Sequence, residues 1–245
     1  MLKIRISFPS TDARAKEDRR IWPPPSPKLP SISIIFDVVA TLLFKENRWD
    51  RPSTLEEFKL SIEESGNTWF GCLLDGQDRL AASAFGSSPR TLNLHLSNYS
   101  KRIGGVPLPI DHRLTHEMID LFEGKNASKP VSFNMKHVSK FQLQVYRVLE
   151  RIPMGKVTTY GLISKHLSSA PRAVGGAVSS NPWPLFIPCQ RVVNFDLTIG
   201  NYGLCGTLGP AGTITKRALL ERESVPILDE RVQQTALWDP SRSNH

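Results

Sequence analysis

The period of the apolar positions changes near the middle of the chain. In the first half the pattern is mixed. Ile32-Ser33-Ile34 with Val38, Val39 and Leu42 predicts an opening strand, and Leu55, Phe58, Leu60 and Ile62 have partial helical spacing over residues 55–64. Thr68 to Leu74, the polar turn Asp75-Gly76-Gln77-Asp78 and Arg79 to Phe85 predict a β-hairpin. Leu114, Met118, Leu121 and Phe122 recur at helical spacing, with Asp111 to cap that helix and Gly124 to end it. The second half is more regular. Ser139 caps a helix whose apolar face is Phe141, Val145, Val148, Leu149 and Ile152, stopped by Pro153-Met154-Gly155. A short extended Lys156-Val157-Thr158 follows. Thr158 or Thr159 then caps a second helix over Tyr160 to Leu167, and the turn Ser168-Ser169-Ala170 leads to a third that starts at Pro171 and runs to about Ser179. Two short helices joined so tightly look like a helix-turn-helix.

The third helix is unusual in composition. Ala173, Gly175, Gly176 and Ala177 leave a small surface, with one cation, Arg172, at its start. Each glycine costs a helix roughly 1 kcal/mol relative to alanine, so the small surface needs a use. Close packing against another helix is one; close approach to a bulky partner such as a DNA groove is the other, and both can hold.

Composition narrows the setting. The chain of 245 residues has room for one large domain or two modest ones. Residues 1–30, with a charged run and Pro23-Pro24-Pro25, predict an extended arm. Residues 31–130 read as a mixed domain. Lys plus Arg number 31 against 23 Asp plus Glu, a net charge of +8. Residues 131–230 carry 11 basic and 6 acidic residues, so the excess favours a polyanionic partner for that half. Three widely spaced cysteines, Cys72, Cys189 and Cys205, make no disulfide framework. The start of the chain lacks a signal peptide's apolar run, and Ile32 to Phe44 is too short to span a bilayer. A soluble protein of a reducing compartment is expected, in the cytoplasm, nucleoid or nucleus. His112 and His116 lie one helical turn apart, but without a third ligand they read as surface histidines.

The chemistry concentrates at Ile187-Pro188-Cys189-Gln190-Arg191-Val192. Free cysteine is most often an inert buried hydrophobe; a nucleophile needs cations, a helix start or a relayed base beside it. These segments resemble the O6-alkylguanine-DNA alkyltransferases. The resemblance rests on Phe141-Gln142, Val145-Tyr146, Ile152 through Gly161, Arg172 through Ala177, Asn181-Pro182, Ile187 through Val192, Gly200-Asn201-Tyr202, Lys216, Leu219-Leu220 and Glu223, colinear over about residues 139–225. It implies an α+β fold: a small ribonuclease-H-like α/β N-terminal domain, then a helical, winged helix-turn-helix-like domain over 131–230 and a tail over 231–245. It implies a single-turnover transfer of a methyl or alkyl group from O6-alkylguanine in double-stranded DNA to Cys189, after the base is flipped out through the minor groove, with O4-alkylthymine left open as a second lesion. A monomer and no cofactor are expected. Roles carried by resemblance are Arg172 filling the vacated stack, Tyr160 rotating the nucleotide, Asn181 as hinge, Tyr202 and Gly203 as pocket wall, Lys216 near the active site and Glu223 at the far end of a proton relay. Arg191 is left between phosphate contact and bracing of the cysteine loop.

Three departures from the family pattern matter. Gln190 stands where the family's Pro-Cys-His-Arg-Val motif has histidine; an amide orients a water but cannot hold a proton, which predicts a slower protein rather than a dead one. Gly203 replaces a frequent serine and opens a long glycine-rich loop over 203–212 that carries Cys205. Some members bind zinc, but residues 1–130 offer only Cys72, His95, His112 and His116, so none is expected. Two competing readings differ in what they predict. A lesion-binding relative without chemistry usually lacks the cysteine, which is present here. A transcription regulator needs polar side chains along its second helix, and Val174 to Val178 has none.

Overall fold

The computed structural model describes residues 56–126, 128–202 and 212–242. The arm at 1–30, the opening strand expected at 32–42, Gly203 and Cys205 lie outside them. The architecture is α+β. Strands β1 (Glu56–Ser65), β2 (Thr68–Asp75), β3 (Leu80–Gly86) and β4 (Gly105–Pro109) form a sheet in the order β3–β2–β1–β4, antiparallel except for the β1–β4 pair.

The helix expected over 55–64 is instead β1. Phe58, Leu60 and Ile62 recur every second residue, and pairing to a neighbour on both sides outweighs the partial helical spacing that Leu55 suggested. Gly66, at φ +60°, turns the chain from β1 into β2, a conformation glycine takes without strain. The predicted hairpin at 68–85 forms as expected. Its turn is built on Asp75, whose carboxylate accepts from Gln77 N, Arg79 N, Arg79 Nε and Asn134 Nδ2 at 2.8–3.0 Å.

Both faces of the sheet are covered. Helix α1 (Pro89–Arg102), capped by Ser88, lays Leu92 and Leu96 over Phe58, Leu73 and Ala82. Gly71 is needed there, because a Cβ would lie 2.7 Å from Leu96 Cδ1. The alternate residues Phe70, Cys72 and Leu74 face α2 (Arg113–Phe122) and join one core with the second half of the chain. The cap of α2 is His112, whose Nδ1 accepts from Leu114 N, rather than Asp111. His116 pairs with Glu63 on the surface. Burial pushes the Cys72 thiol up to about 12, so it packs rather than reacts.

The second half follows the predicted order closely. Helix α3 (Lys140–Glu150) opens with a Ser139–Gln142 capping box, β5 (Thr158–Thr159) runs into α4 (Tyr160–His166) through the Thr159 cap, and α5 (Pro171–Ser179) follows. A single 3₁₀ turn at Cys189–Arg191 leads to β6 (Val192–Val193), which pairs parallel with β5, and α6 (Gly212–Arg222) closes the half. Beyond it, β7 (Ile227–Leu228) and β8 (Arg231–Val232) form a small hairpin. The segment after it lies along Val157, with Val157 N donating to Ala236 O and Trp238 N to Val157 O. Val193, Ile199, Leu220, Val225, Val232 and Ala236 form a separate small core behind the cysteine segment. No helix among the described residues is long and apolar enough to cross a membrane.

Candidate active site

The segment between α5 and the cysteine is held from both sides. Edge strand β3 takes one side: Ser83 N donates to Pro182 O, Ser83 Oγ to Pro184 O, and the buried Trp183 Nε1 reaches Leu80 O and Ala81 O at 2.9 and 3.1 Å. Trp183 also packs against Phe133 and Tyr146. Tyr146 from α3 in turn donates to Ala177 O, which fixes α5. Asn181 is fully buried and ties the segment to the cysteine through three hydrogen bonds. Its Nδ2 donates to Ile187 O at 3.0 Å and to Cys189 Sγ at 3.2 Å, while its Oδ1 accepts from Trp183 N at 3.0 Å.

Cys189 lines a cavity of about 50 Å³ together with Tyr160, Val178, Ser179, Asn201, Tyr202 and Lys216. Burial pushes its thiol above the ordinary range, opposed by the Asn181 amide, the Tyr202 hydroxyl 4.0 Å away and the positive charge of Lys216. Burial also raises the phenols of Tyr160 and Tyr202, and the neighbouring cysteine adds to both. Both therefore stay protonated at neutral pH and remain hydrogen-bond donors. Lys216 Nζ donates to Val192 O at 2.5 Å, and burial lowers its ammonium to about 8.

Behind the cysteine lies a buried polar cluster. Gln190 Nε2 donates to Glu223 Oε1 at 2.8 Å, and Arg191 Nε donates to Glu223 Oε2 at 2.7 Å. Arg191 Nη1 reaches Ile152 O at 2.7 Å. Arg191 is buried and turned inward, so the bracing role is the one its geometry fits. Gln190 Oε1 is buried without a hydrogen-bond partner among the described residues.

The outer face of α5 is different in kind. Arg172, Ala173 and Gly176 are exposed, whereas Val174, Ala177 and Val178 are buried. Arg172 and Gly176 are four residues apart and share that face. A Cβ added at Gly175 or at Gly176 would meet nothing within 4 Å. Packing within the chain therefore does not explain the glycines; the small surface is turned outward.

Residues 140–225 match the family model for the 6-O-methylguanine DNA methyltransferase DNA-binding domain. A methylated-DNA–protein-cysteine methyltransferase of Thermococcus kodakarensis is 33% identical over 165 residues, which cover 64% of this chain and 89% of that protein. The chain belongs to the methylated-DNA–protein-cysteine methyltransferase family. A Saccharolobus islandicus relative of the same name is 43% identical over 112 residues, covering 46% of this chain and 68% of the relative. The crystal structure of the O6-methylguanine-DNA methyltransferase of Pyrococcus kodakaraensis KOD1 superposes with a TM-score of 0.57 at 31% identity, over 68% of this chain and 99% of that one. The Mycobacterium tuberculosis O6-methylguanine methyltransferase, at 24% identity and TM-score 0.53 over 70% of this chain and 96% of its own, shares the fold. The chain is thus a DNA-binding repair enzyme that transfers a methyl group from methylated DNA to a protein cysteine.

Within the methyltransferase, the residues singled out from sequence divide into three groups. Cys189, Tyr160, Tyr202 and Lys216 line one cavity, and Asn181 touches the sulfur. Gln190, Arg191 and Glu223 form the cluster behind it. Arg172 stands outside on α5. The sequence reading assigned no role to Trp183, Ser83 or Tyr146. Their signal was faint: a tryptophan between two prolines, Pro182 and Pro184, is a large apolar residue where a loop would be polar, and it needed a partner surface.

Proposed function

We propose that Cys189 is the acceptor and that the methyltransferase reaches its lesion by flipping the alkylated guanine out of double-stranded DNA. The observation that carries this reading is the Cys189 sulfur, the only reactive atom of its kind lining the cavity among the described residues, met there by Asn181, Tyr202 and Lys216. Displacement at an sp³ carbon suits a soft sulfur nucleophile, and the departing guanine anion needs donors, which Tyr160 and Tyr202 supply as protonated phenols. The thiolate attacks the methyl carbon, the S–C bond forms as the C–O6 bond breaks, and the sulfur ends as a thioether. No step regenerates the thiol, so each molecule acts once.

The outward small face of α5 supports approach through the minor groove, where side chains would hold the helix away from the bases. Arg172, exposed at the start of that helix, is long enough to occupy the space the base leaves. Flipping costs a few kcal/mol of unstacking, which such a plug offsets. The same displacement serves an O4-alkylthymine that enters the cavity. Gln190 takes no proton, so it contributes by holding Glu223 and orienting water rather than as a base.

Intact-protein mass spectrometry after incubation with an oligonucleotide duplex carrying O6-methylguanine tests this. A methyl-sized gain on the peptide with Cys189, absent in Cys189→Ser, is expected. Tight binding to the lesion without a mass gain would overturn the acceptor assignment.

A further inference from the structure

The proton of the Cys189 thiol has no ready acceptor in the cluster behind it. Gln190 has no titratable nitrogen, and the charge of Glu223 is already met by the Arg191 guanidinium at Oε2 while Oε1 accepts from Gln190, which makes it a poor base. Helix α6 places a different group in the cavity. The Lys216 side chain runs inward, 1% exposed, and its Nζ meets the neutral Val192 carbonyl. Among the described residues no carboxylate lies within ion-pair distance of it. A buried ammonium without an anion is unfavourable, and such groups either find a counter-charge or give up the proton. The counter-charge that this cavity offers is the Cys189 thiolate, which is the one neighbour that raises the Lys216 ammonium against its desolvation.

We propose that Lys216 is the proton acceptor of the Cys189 thiol, filling the role that Gln190 cannot, so that the reactive form is a thiolate–ammonium pair. The proposal rests on Cys189 being the acceptor of the alkyl group. The balance is complete within the site. The S–H bond breaks and an N–H bond forms on Nζ; sulfur then displaces the guanine from the alkyl carbon. The guanine anion takes up a proton at N1, which the ammonium supplies. Lys216 is left as a neutral amine beside a neutral thioether, the state that burial favours once the anion is gone. Of the other groups facing the pair, Tyr160 on α4 and Tyr202 on the loop before α6 are held above the ordinary phenol range and stay protonated, and Arg191 and Glu223 are tied to each other.

The test is single-turnover methyl transfer from an O6-methylguanine duplex, followed by intact mass between pH 6 and about 10, for the wild type, Lys216→Met, Gln190→His and the double variant. The wild-type rate is expected to climb and level off near pH 8, where Lys216 titrates. Lys216→Met is expected to lose about 100-fold at neutral pH, the usual worth of general-base help, and to keep climbing through the alkaline range because the thiol is left to ionise alone. Gln190→His in the Lys216→Met background restores a histidine route and is expected to regain most of the loss. A Lys216→Met protein within twofold of wild type, or a slow one that keeps the wild-type plateau and gains nothing from Gln190→His, would overturn the proposal. Absence of a mass gain in the wild type itself would remove the Cys189 assignment beneath it, an outcome read without any variant.

Discussion

The proposed DNA-facing role of the α5 glycines can be tested apart from their effect on stability. In Gly175→Leu/Gly176→Leu the added side chains start from positions where a Cβ meets nothing within 4 Å, so the folded protein has room for them. Neither glycine has the left-handed backbone that would strain a leucine. Leucine is close to the best helix former, and glycine is worse by roughly 0.8–1.0 kcal/mol per residue. The double variant is therefore expected to gain about 1–2 kcal/mol, a rise in Tm of several degrees for a chain of this size at about 2–4 °C per kcal/mol. On duplex DNA the sign reverses. Two leucines on the face shared with Arg172 hold the helix off the groove, and a contact overpacked to that degree costs about 1–3 kcal/mol, or one to two powers of ten in affinity. Differential scanning calorimetry reads the first effect, and single-turnover transfer from a methylated duplex against transfer from the free alkylguanine base reads the second. A variant that melts higher, reacts normally with the free base and fails on the duplex is the expected result. A lower Tm would refute the claim that the glycines face outward, and undiminished duplex repair would refute their role at the DNA.

Three further substitutions address separate parts of the site. Arg172→Ala is expected to slow transfer from base-paired lesions while sparing the free base; equal loss on both would end the stack-filling role. Asn181→Ala leaves Trp183 N buried without its partner, removes one of the two donors to Ile187 O (Cys189 N remains) and removes the amide donor to Cys189 Sγ, so a stability loss of about 1–3 kcal/mol by urea denaturation should accompany a less acidic thiol, read by the pH dependence of Cys189 alkylation. Glu223→Gln leaves the Arg191 guanidinium buried without its anion and should cost about 3–5 kcal/mol by the same denaturation; a change below 1 kcal/mol would show that the pair is structurally idle.

The second half of the fold was legible because its signals are local. Ser139 and Thr159 are caps, Pro171 opens a helix, and the faces repeat at helical spacing, so each element is specified within a few residues of itself. β1 was not legible in that way. Its identity is decided by β2 and β4 on either side, partners that the spacing of Leu55, Phe58 and Leu60 does not show. The same limit applied at α2, where His112 and Asp111 are both chemically able to cap and the backbone path selects the former. In the site, the family resemblance singled out Cys189, Asn181, Tyr160 and Tyr202, which the structure places side by side. The support from β3 through Ser83 and Trp183 joins residues about a hundred positions apart, and no local pattern encodes it.

Gln190 changes how the retained Glu223 is to be understood. Where a histidine relays a proton, the glutamate behind it is the end of a path; here an amide donates to it, and a proton leaving the thiol meets a group that cannot carry it onward. Glu223 nevertheless has a full set of reasons to be present. It neutralises a buried guanidinium, and that guanidinium pins Ile152 O at the end of the turn that follows α3, ahead of β5. Because β5 pairs with β6 directly after the cysteine turn, Glu223 fixes the position of Cys189 through backbone as well as through Gln190. Proton transfer and positioning are therefore separable in this enzyme: the Gln190–Glu223–Arg191 cluster positions Cys189, and the proposed proton transfer falls to Lys216 on α6, the one buried cation that has no fixed anion among the described residues.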